Sequence, residues 1–255
     1  MHEVYPLKTY IEELDKNIGG FYPGEVTLIC GADSFGDESR QFLFALIKLI
    51  TLGSGALGLV YSYDIMPHNI LYKIIGSITG IESYDISESK FDKSKAPLVN
   101  AISKQVYDLP LIMRYNPNLY IQELCNEVRK YHRDRGIKIV YLNDLELIGT
   151  DESQIEGLGF NEDFFVFNEA RYVIEKLAQL AQELNIPIVI TYARKGIHVH
   201  KKIVKTVNSF LDIENWRTES WSFYHETMRV IKTHDGKIGT FSLSFFSDLN
   251  ILVFP

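Results

Sequence analysis

Five short apolar runs, spaced by segments with helical periodicity, set the strongest limit on how this chain folds. They are VTLIC (26–30), GLVYSY (58–63), PLIMRY (110–115), KIVYL (138–142) and PIVITY (187–192). Each has strand length and is nearly continuous in apolar character, as expected of a strand covered on both faces. The intervening segments read as helices. Residues 37–52 follow the first run. MPHNILYKIIGSITG places Ile70, Ile74, Ile75 and Ile78 on one face, with Pro67 in the first turn where proline is tolerated. NLYIQELCNEVRKYHRDRG is closed by Gly136 and carries basic residues in its last turns, which suits the helix dipole. Residues 169–185 form the cleanest amphipathic pattern. Residues 82–104 read as a surface excursion or a broken helix. Strand–helix alternation of this kind predicts an α/β fold with a mainly parallel sheet flanked by helices. The C-terminal stretch MRVIKTHDGKIGTFSLSFFSDLNILVF alternates and has turn signals at DG and SD, so it predicts an antiparallel hairpin extension.

Right-handed crossovers bring the C-terminal ends of parallel strands to one rim, where ligands of such sheets bind. Asp33 to Glu38, Asp64, Asn143 and Ala193 are expected at that rim. The chain has 255 residues, no internal repeat and no strong linker, so a single domain is expected over 1–255, with an N-terminal lead-in over 1–20 and a hairpin region over 229–255. The net charge of −7 argues against a broad electrostatic footprint for nucleic acid. Cys30 and Cys125 are far apart in sequence and read as reduced core thiols. No signal peptide or membrane span is evident, and a cytoplasmic location is expected.

The first strand runs into GADSFGDES (31–39) and then into a helix. Strand, glycine loop and helix form a phosphate cradle, because backbone N–H groups and the helix N-terminus converge there. Yet the two residues after Gly36 are Asp37 and Glu38. At ~4 Å and an effective dielectric of ~20, one unit charge pair is worth on the order of 4 kcal/mol, so exchanging a cation for an anion swings the energy by up to about twice that before screening. Such a swing carries a micromolar site beyond millimolar, at about 1.4 kcal/mol per tenfold. Both carboxylates suit a helix N-terminus, so they fill from within the anion site that the loop shape offers.

Several stretches together resemble the motor domain of the DnaB-type replicative helicases, within the RecA-like ATPases. IEELDKNIGGFYPGEVTLICG is similar to the segment leading into the phosphate loop, and LGLVYSYDIMPHNILYKIIGSITG to the second strand and its helix. YIQELCNEVRKYHRDRGIKIVYLNDLELI resembles the helix and strand of the second nucleotide motif. LAQLAQELNIPIVIT resembles the strand near the DNA-facing loop, and RVIKTHDGKIGTFSLSF the C-terminal hairpin. The likeness runs in order from about Leu14 to Phe254. It implies a RecA-like fold, and for active members ATP, magnesium and DNA.

Carried across residue by residue, the resemblance implies altered motifs. Gly31 and Gly36 keep the spacing of the phosphate loop, but Asp37 stands at the lysine position and Glu38 at the hydroxyl position. Asn143 takes the place of the magnesium-ordering aspartate, with Asp144 one residue late. Asp64 replaces the water-activating glutamate. Ala193 falls at the sensor glutamine. Lys232 and His234 fall at the lysine and arginine that reach into a neighbouring subunit. These losses are chemically independent, which fits a domain that no longer hydrolyses ATP, needs no cofactor and acts by binding or scaffolding, in replication or repair. The alternatives are an ATP-dependent DNA helicase with a rearranged site, using ATP and magnesium, and a modulator of a ring made by an active relative. The likeness lacks the family's N-terminal collar, so a monomer or small oligomer is expected.

Three further features carry weaker signals. Asp33, Asp37, Glu38 and Asp64 are oxygen-rich enough for a divalent cation, although a solvated acidic rim explains them as well. RKGIHVHKKIVK offers Arg194, Lys195, Lys201, Lys202 and Lys205 to DNA phosphates, with at most weak binding expected. His198 and His200 lack the carboxylate or cysteine partners of a metal site. Trp216, Trp221, Phe223 and Tyr224 read as core packing or as anchors for a protein partner.

Overall fold

The computed structural model describes residues 5–31, 37–151, 162–193, 201–216, 224–235, 238–246 and 251–253. Among the described residues nine strands form one sheet in the order β3-β2-β4-β5-β1-β6-β7-β8-β9. The strands are β1 (Val26–Gly31), β2 (Gly58–Ser62), β3 (Leu111–Tyr115), β4 (Ile139–Asn143), β5 (Ile188–Ala193), β6 (Ser209–Trp216), β7 (Tyr224–Lys232), β8 (Gly239–Phe246) and β9 (Ile251–Val253). The pairs among β1 to β6 are parallel, and β6-β7-β8-β9 are antiparallel. The five expected strands are therefore present, with β1 at the sheet centre and the hairpin extension at one side. β6 had no counterpart in the sequence reading. Its segment SFLDIENW mixes apolar and charged residues, and its strand state is decided by parallel pairing with β1.

The apolar runs are continuous because alternate residues serve two different layers. Val26, Leu28 and Cys30 of β1 face one core with Leu59, Tyr61, Val140, Leu142, Ile188 and Ile190. Ile29, Val60, Ile139, Tyr141 and Val189 face the other. Helices α6 (Ile121–Arg135) and α7 (Glu162–Leu184) cover the first face, through Leu124, Val128, Val173, Leu177 and Leu180. Helices α2 (Asp37–Ser54), α3 (Pro67–Thr79) and α5 (Ala96–Tyr107) cover the second with α1 (Glu12–Ile18), through Leu14, Phe42, Leu46, Ile50, Ile70, Ile74 and Val99.

Local signals account for several boundaries. Pro67 opens α3 as its first helical residue. Gly136 closes α6 with φ 69°, a left-handed conformation that favours glycine, and its N–H bonds the His132 carbonyl. Of the four isoleucines expected on one face of α3, Ile70, Ile74 and Ile75 are buried, whereas Ile78, in the last turn, is largely exposed. The 82–104 region is indeed broken, into α4 (Ser83–Ser87), a short 3-10 turn (Lys93–Lys95) and the start of α5. The last residues of the basic stretch RKGIHVHKKIVK lie in a helix, α8 (Lys201–Thr206). Cys30 and Cys125 are both buried and not joined in a disulfide, as expected.

Candidate functional site

Parallel pairing aligns the C-terminal ends of β1, β2, β4 and β5. Gly31 lies opposite Ala193 across β1 and β5, and Ser62 lies opposite Asn143 across β2 and β4. Asp64 follows β2 by two residues, and the backbone N–H of Tyr63 bonds the Asn143 carbonyl at 3.2 Å. This brings the side chains of Asp64 and Asn143 together. The Asn143 amide donates from Nδ2 to Oδ1 of Asp64 at 3.0 Å. The second carboxylate oxygen of Asp64 pairs with the Arg40 guanidinium at 2.8 Å. Arg40 comes from the first turn of α2, three residues after Asp37. Asn143 is fully buried, and its own oxygen accepts from the Thr191 hydroxyl of β5 at 3.3 Å. The result is a chain of contacts, Arg40–Asp64–Asn143–Thr191, that crosses from α2 over β2 and β4 to β5.

The charge logic of this chain is specific. Asn143 presents an amide donor to Asp64, where a carboxylate would present a second negative charge at the same distance. Arg40 supplies the cation that the geometry assigns to Asp64. Asp144, the next residue, is buried, and its Oδ1 finds no hydrogen-bond partner among the described residues. Burial pushes its carboxyl up to about 7, with Glu146 adding to the rise and Arg40 opposing it. Asp144 therefore keeps its proton to a higher pH than an ordinary aspartate.

The two other positions implied by the resemblance lie elsewhere. Lys232 ends β7 and His234 follows it, beside the start of β1 and thus at the opposite rim of the sheet from Asp64, where the parallel strands begin. The Lys232 ammonium donates to the Lys205 carbonyl at 3.1 Å and to the Val207 carbonyl, at the end of α8. His234 stacks on Tyr22, with ring centroids 4.4 Å apart, and its Nδ1 meets the Glu25 carboxylate. Burial raises the Glu25 carboxyl, opposed by His234 and Lys232. Within one chain, then, Asp64 and Asn143 form one cluster and Lys232 and His234 another.

Other expected positions are only partly within the described residues. Gly31 is buried at the end of β1. Asp37 opens α2 and Ala193 ends β5, but the side chains of Asp37, Glu38 and Ala193 lie outside the described residues, as do Asp33 and Gly36. Arg194, Lys195, His198 and His200 lie outside too, as do the side chains of Lys201 and Lys202. Lys205 is exposed on α8. Trp216 and Tyr224 take part in β6 and β7, their side chains outside the described residues along with Trp221 and Phe223. Among the described residues no group of three or more His, Cys, Asp or Glu is placed to hold a metal ion. No described helix is long and apolar enough to cross a membrane.

The partners of Asp64, Asn143 and His234 were not expected from the sequence. Thr191, Glu25 and Tyr22 carried no pattern of their own. Arg40 was legible in principle, because three residues past Asp37 on a helix places it on the same face as the phosphate-loop end.

Comparison with known proteins agrees with the architecture. Two solved structures share the fold at 14% identity. One is a DnaB-like replicative helicase, from work that also describes its interactions with primase, with a TM-score of 0.82 over 100% of this chain and 64% of that one. The other is an ATPase domain, with a TM-score of 0.81 over 99% of this chain and 92% of that one. A KaiC-like protein from Pyrococcus horikoshii aligns at 13% identity over 99% of this chain and 100% of that one, with a TM-score of 0.65. In sequence, the replicative DNA helicase DnaB of Leifsonia xyli is 20% identical over 71% of this chain and 37% of its own length. That of Treponema pallidum is 22% identical over 72% of this chain and 39% of its own. The chain therefore spans less than two-fifths of those relatives. The model of the DnaB-like helicase C-terminal domain matches residues 6–194, and the chain belongs to that family.

Proposed function

We propose that this chain is a DnaB-family domain that has given up ATP hydrolysis and acts as a binding or scaffolding protein. The observation that carries the reading is the closed set of contacts around Asp64. The group at the water-activating position has one oxygen on Arg40 and the other on Asn143, so both oxygens are engaged within the chain. Magnesium-ATP does not fit this donor set. An amide stands where a carboxylate would order the metal, and Asp37 and Glu38 stand where a lysine and a hydroxyl would meet phosphate. We therefore assign no step to bound nucleotide. The same reading takes the whole chain as one domain, with a protein as its partner and single-stranded DNA bound weakly at most.

Titration calorimetry with magnesium-ATP, followed by a phosphate-release assay, tests the reading directly. No heat at micromolar ATP and no release are expected. Asp37→Lys with Glu38→Thr is expected to recover part of the nucleotide binding without rapid turnover, because Ala193 and His234 still lack the side chains that turnover uses. Micromolar affinity in the unaltered chain would instead support an ATP-dependent helicase motor, with Arg40 released from Asp64 to serve phosphate. Ring modulation is the third reading. Lys232 and His234 are engaged within their own chain, so a subunit of this kind placed in a ring would leave its neighbour's site incomplete.

A further inference from the structure

The rim that carries Asp64 and Asn143 continues toward the β3 edge as a row of large, exposed apolar side chains. Met66 precedes α3, Tyr115 ends β3, Tyr120 precedes α6, and Leu147 lies in the 3-10 turn after β4 (Leu145–Leu147); these four are between 40% and 49% exposed. Single exposed apolar residues are ordinary, but four along one rim are not.

Backbone bonds stitch the four segments into one surface. Tyr115 lies opposite Ser62, and Ser62 lies opposite Asn143. The Asn116 N–H bonds the Ser62 carbonyl at 3.3 Å, the Gly149 N–H bonds the Leu119 carbonyl at 3.2 Å, and the Ile121 N–H bonds the Gly149 carbonyl at 2.9 Å. A side chain at Gly149 would stand only 3.3 Å from the Tyr120 ring, so the glycine leaves room for that ring to lie across the turn.

The charges around the row are mostly negative. Asp64, Glu127, Glu146 and Asp151 border it, against Arg40 and Arg114. Both arginines are already paired, Arg40 with Asp64 and Arg114 with Glu127. The Tyr61 hydroxyl also donates to Glu127, at 2.6 Å. A nucleic acid would bring phosphates to carboxylates and find these two guanidinium groups taken. A second copy of the chain would bring a net charge of −7 to an acidic surface.

We propose that Met66, Tyr115, Tyr120 and Leu147 form a docking surface for a protein segment that presents apolar side chains flanked by lysine or arginine. The inference rests on the binding-domain reading above and names its surface. The apolar groups of the partner cover the tyrosines and Leu147, and its cations meet the excess negative charge that Glu146 and Asp151 add to the rim, since Asp64 and Glu127 are balanced by Arg40 and Arg114. In this arrangement the partner lies over the strand ends that carry Asp64 and Asn143.

The test pans phage-displayed random dodecapeptides against the full chain, with counter-selection on Tyr120→Ser/Leu147→Ser. Enriched peptides are expected to combine two or more of Leu, Ile, Phe and Trp with Lys or Arg. A synthetic copy of an enriched peptide should bind with a dissociation constant on the order of 1–100 μM, weaken about tenfold or more against the double variant, and weaken as salt rises from about 50 to 500 mM. Leu98→Ser/Tyr107→Ser, on the exposed side of α5, should bind it as the unaltered chain does. Circular dichroism establishes that each variant is folded, and Met66→Ser/Tyr115→Ser takes the place of any that is not. Enriched peptides that are acidic, or that bind the double variant equally, overturn the inference. So does displacement by oligothymidine, which would make the surface a nucleic-acid platform. Self-association that disappears in the double variant would overturn it in favour of a second copy. ATP hydrolysis by the unaltered chain would refute the proposed function while leaving a positive peptide result standing, so the two failures are distinguishable.

Discussion

Replacing Asn143 by aspartate puts two carboxyl groups against each other. In the unaltered chain the amide stands 3.0 Å from one oxygen of Asp64 and donates to it. In Asn143→Asp that favourable bond becomes a contact between like charges. At ~3 Å and an effective dielectric of ~20 the repulsion is about 5–6 kcal/mol. Asp64 is about one-third exposed, 34% by side chain, and keeps Arg40 at 2.8 Å. Solvent and the guanidinium together reduce the expected penalty to about 2–3 kcal/mol, equivalent to about two pKa units shared by the pair. The sign follows from linkage. The folded variant holds a proton that the unfolded chain releases near pH ~4, so destabilisation relative to the unaltered protein is absent at low pH. It grows as the pH rises through the elevated value of the pair and is complete above it. Urea unfolding of both proteins between pH 4 and 9 measures the difference, and at neutral pH the melting temperature should fall by about 5–10 °C. Millimolar magnesium should restore part of the loss in the variant and none in the unaltered chain, because a divalent cation stabilises whichever folded state binds it. A stability difference that is flat with pH, or a variant more stable than its parent at pH 8, would refute the idea that Asn143 is tolerated because it spares Asp64 a second charge.

Asp144→Asn should remove a pH dependence. The raised carboxyl of Asp144 gives folding a term that is favourable below about pH 4 and lost as the pH rises toward about 7. The variant's urea midpoint should therefore change less between pH 5 and 8 than the parent's, by an amount on the order of 2–3 kcal/mol at most. Gly136→Ala places a side chain at φ 69° and should cost about 1 kcal/mol in chemical denaturation, from backbone conformation alone, since nothing lies within 4 Å of the added carbon. Lys232→Ala deletes the ammonium that caps the Lys205 and Val207 carbonyls, so amide hydrogen exchange in α8 should quicken while the α6 and α7 amides keep their protection. A double-mutant cycle on Glu25→Gln and His234→Ala should return a coupling of about 0.5–2 kcal/mol, measured by unfolding, and additivity would mean that the pair contributes nothing beyond packing.

Local chemistry determined the elements whose signals are contained in a short window. Four of the five apolar runs became strands whose side chains alternate between two covered faces, whereas β3, expected to be covered likewise, lies at the sheet edge, is only half-buried and ends on the exposed Arg114 and Tyr115. Gly136 and Pro67 set helix ends through backbone geometry that needs no distant partner. The expectation of a lysine at the position of Asp37 and of an aspartate at that of Asn143 likewise came from the chain alone, through the resemblance to the family's motifs. What only the tertiary structure decided is how the remaining groups satisfy one another. The strand state of SFLDIENW depends on a parallel partner 182 residues away, as the bond from the Val26 N–H to the Asn208 side chain at its start illustrates. Arg40 and Thr191 joined Asp64 and Asn143 because sheet order sets β2 beside β4 and β4 beside β5, an arrangement that periodicity does not encode. Lys232 and His234 fell at the opposite rim because β7 runs antiparallel to β6, so its last residues return to where β1 begins. Charge pairing acts over a few ångströms of space, whereas sequence patterns act over a few residues of chain, and a crossover fold makes those two distances independent.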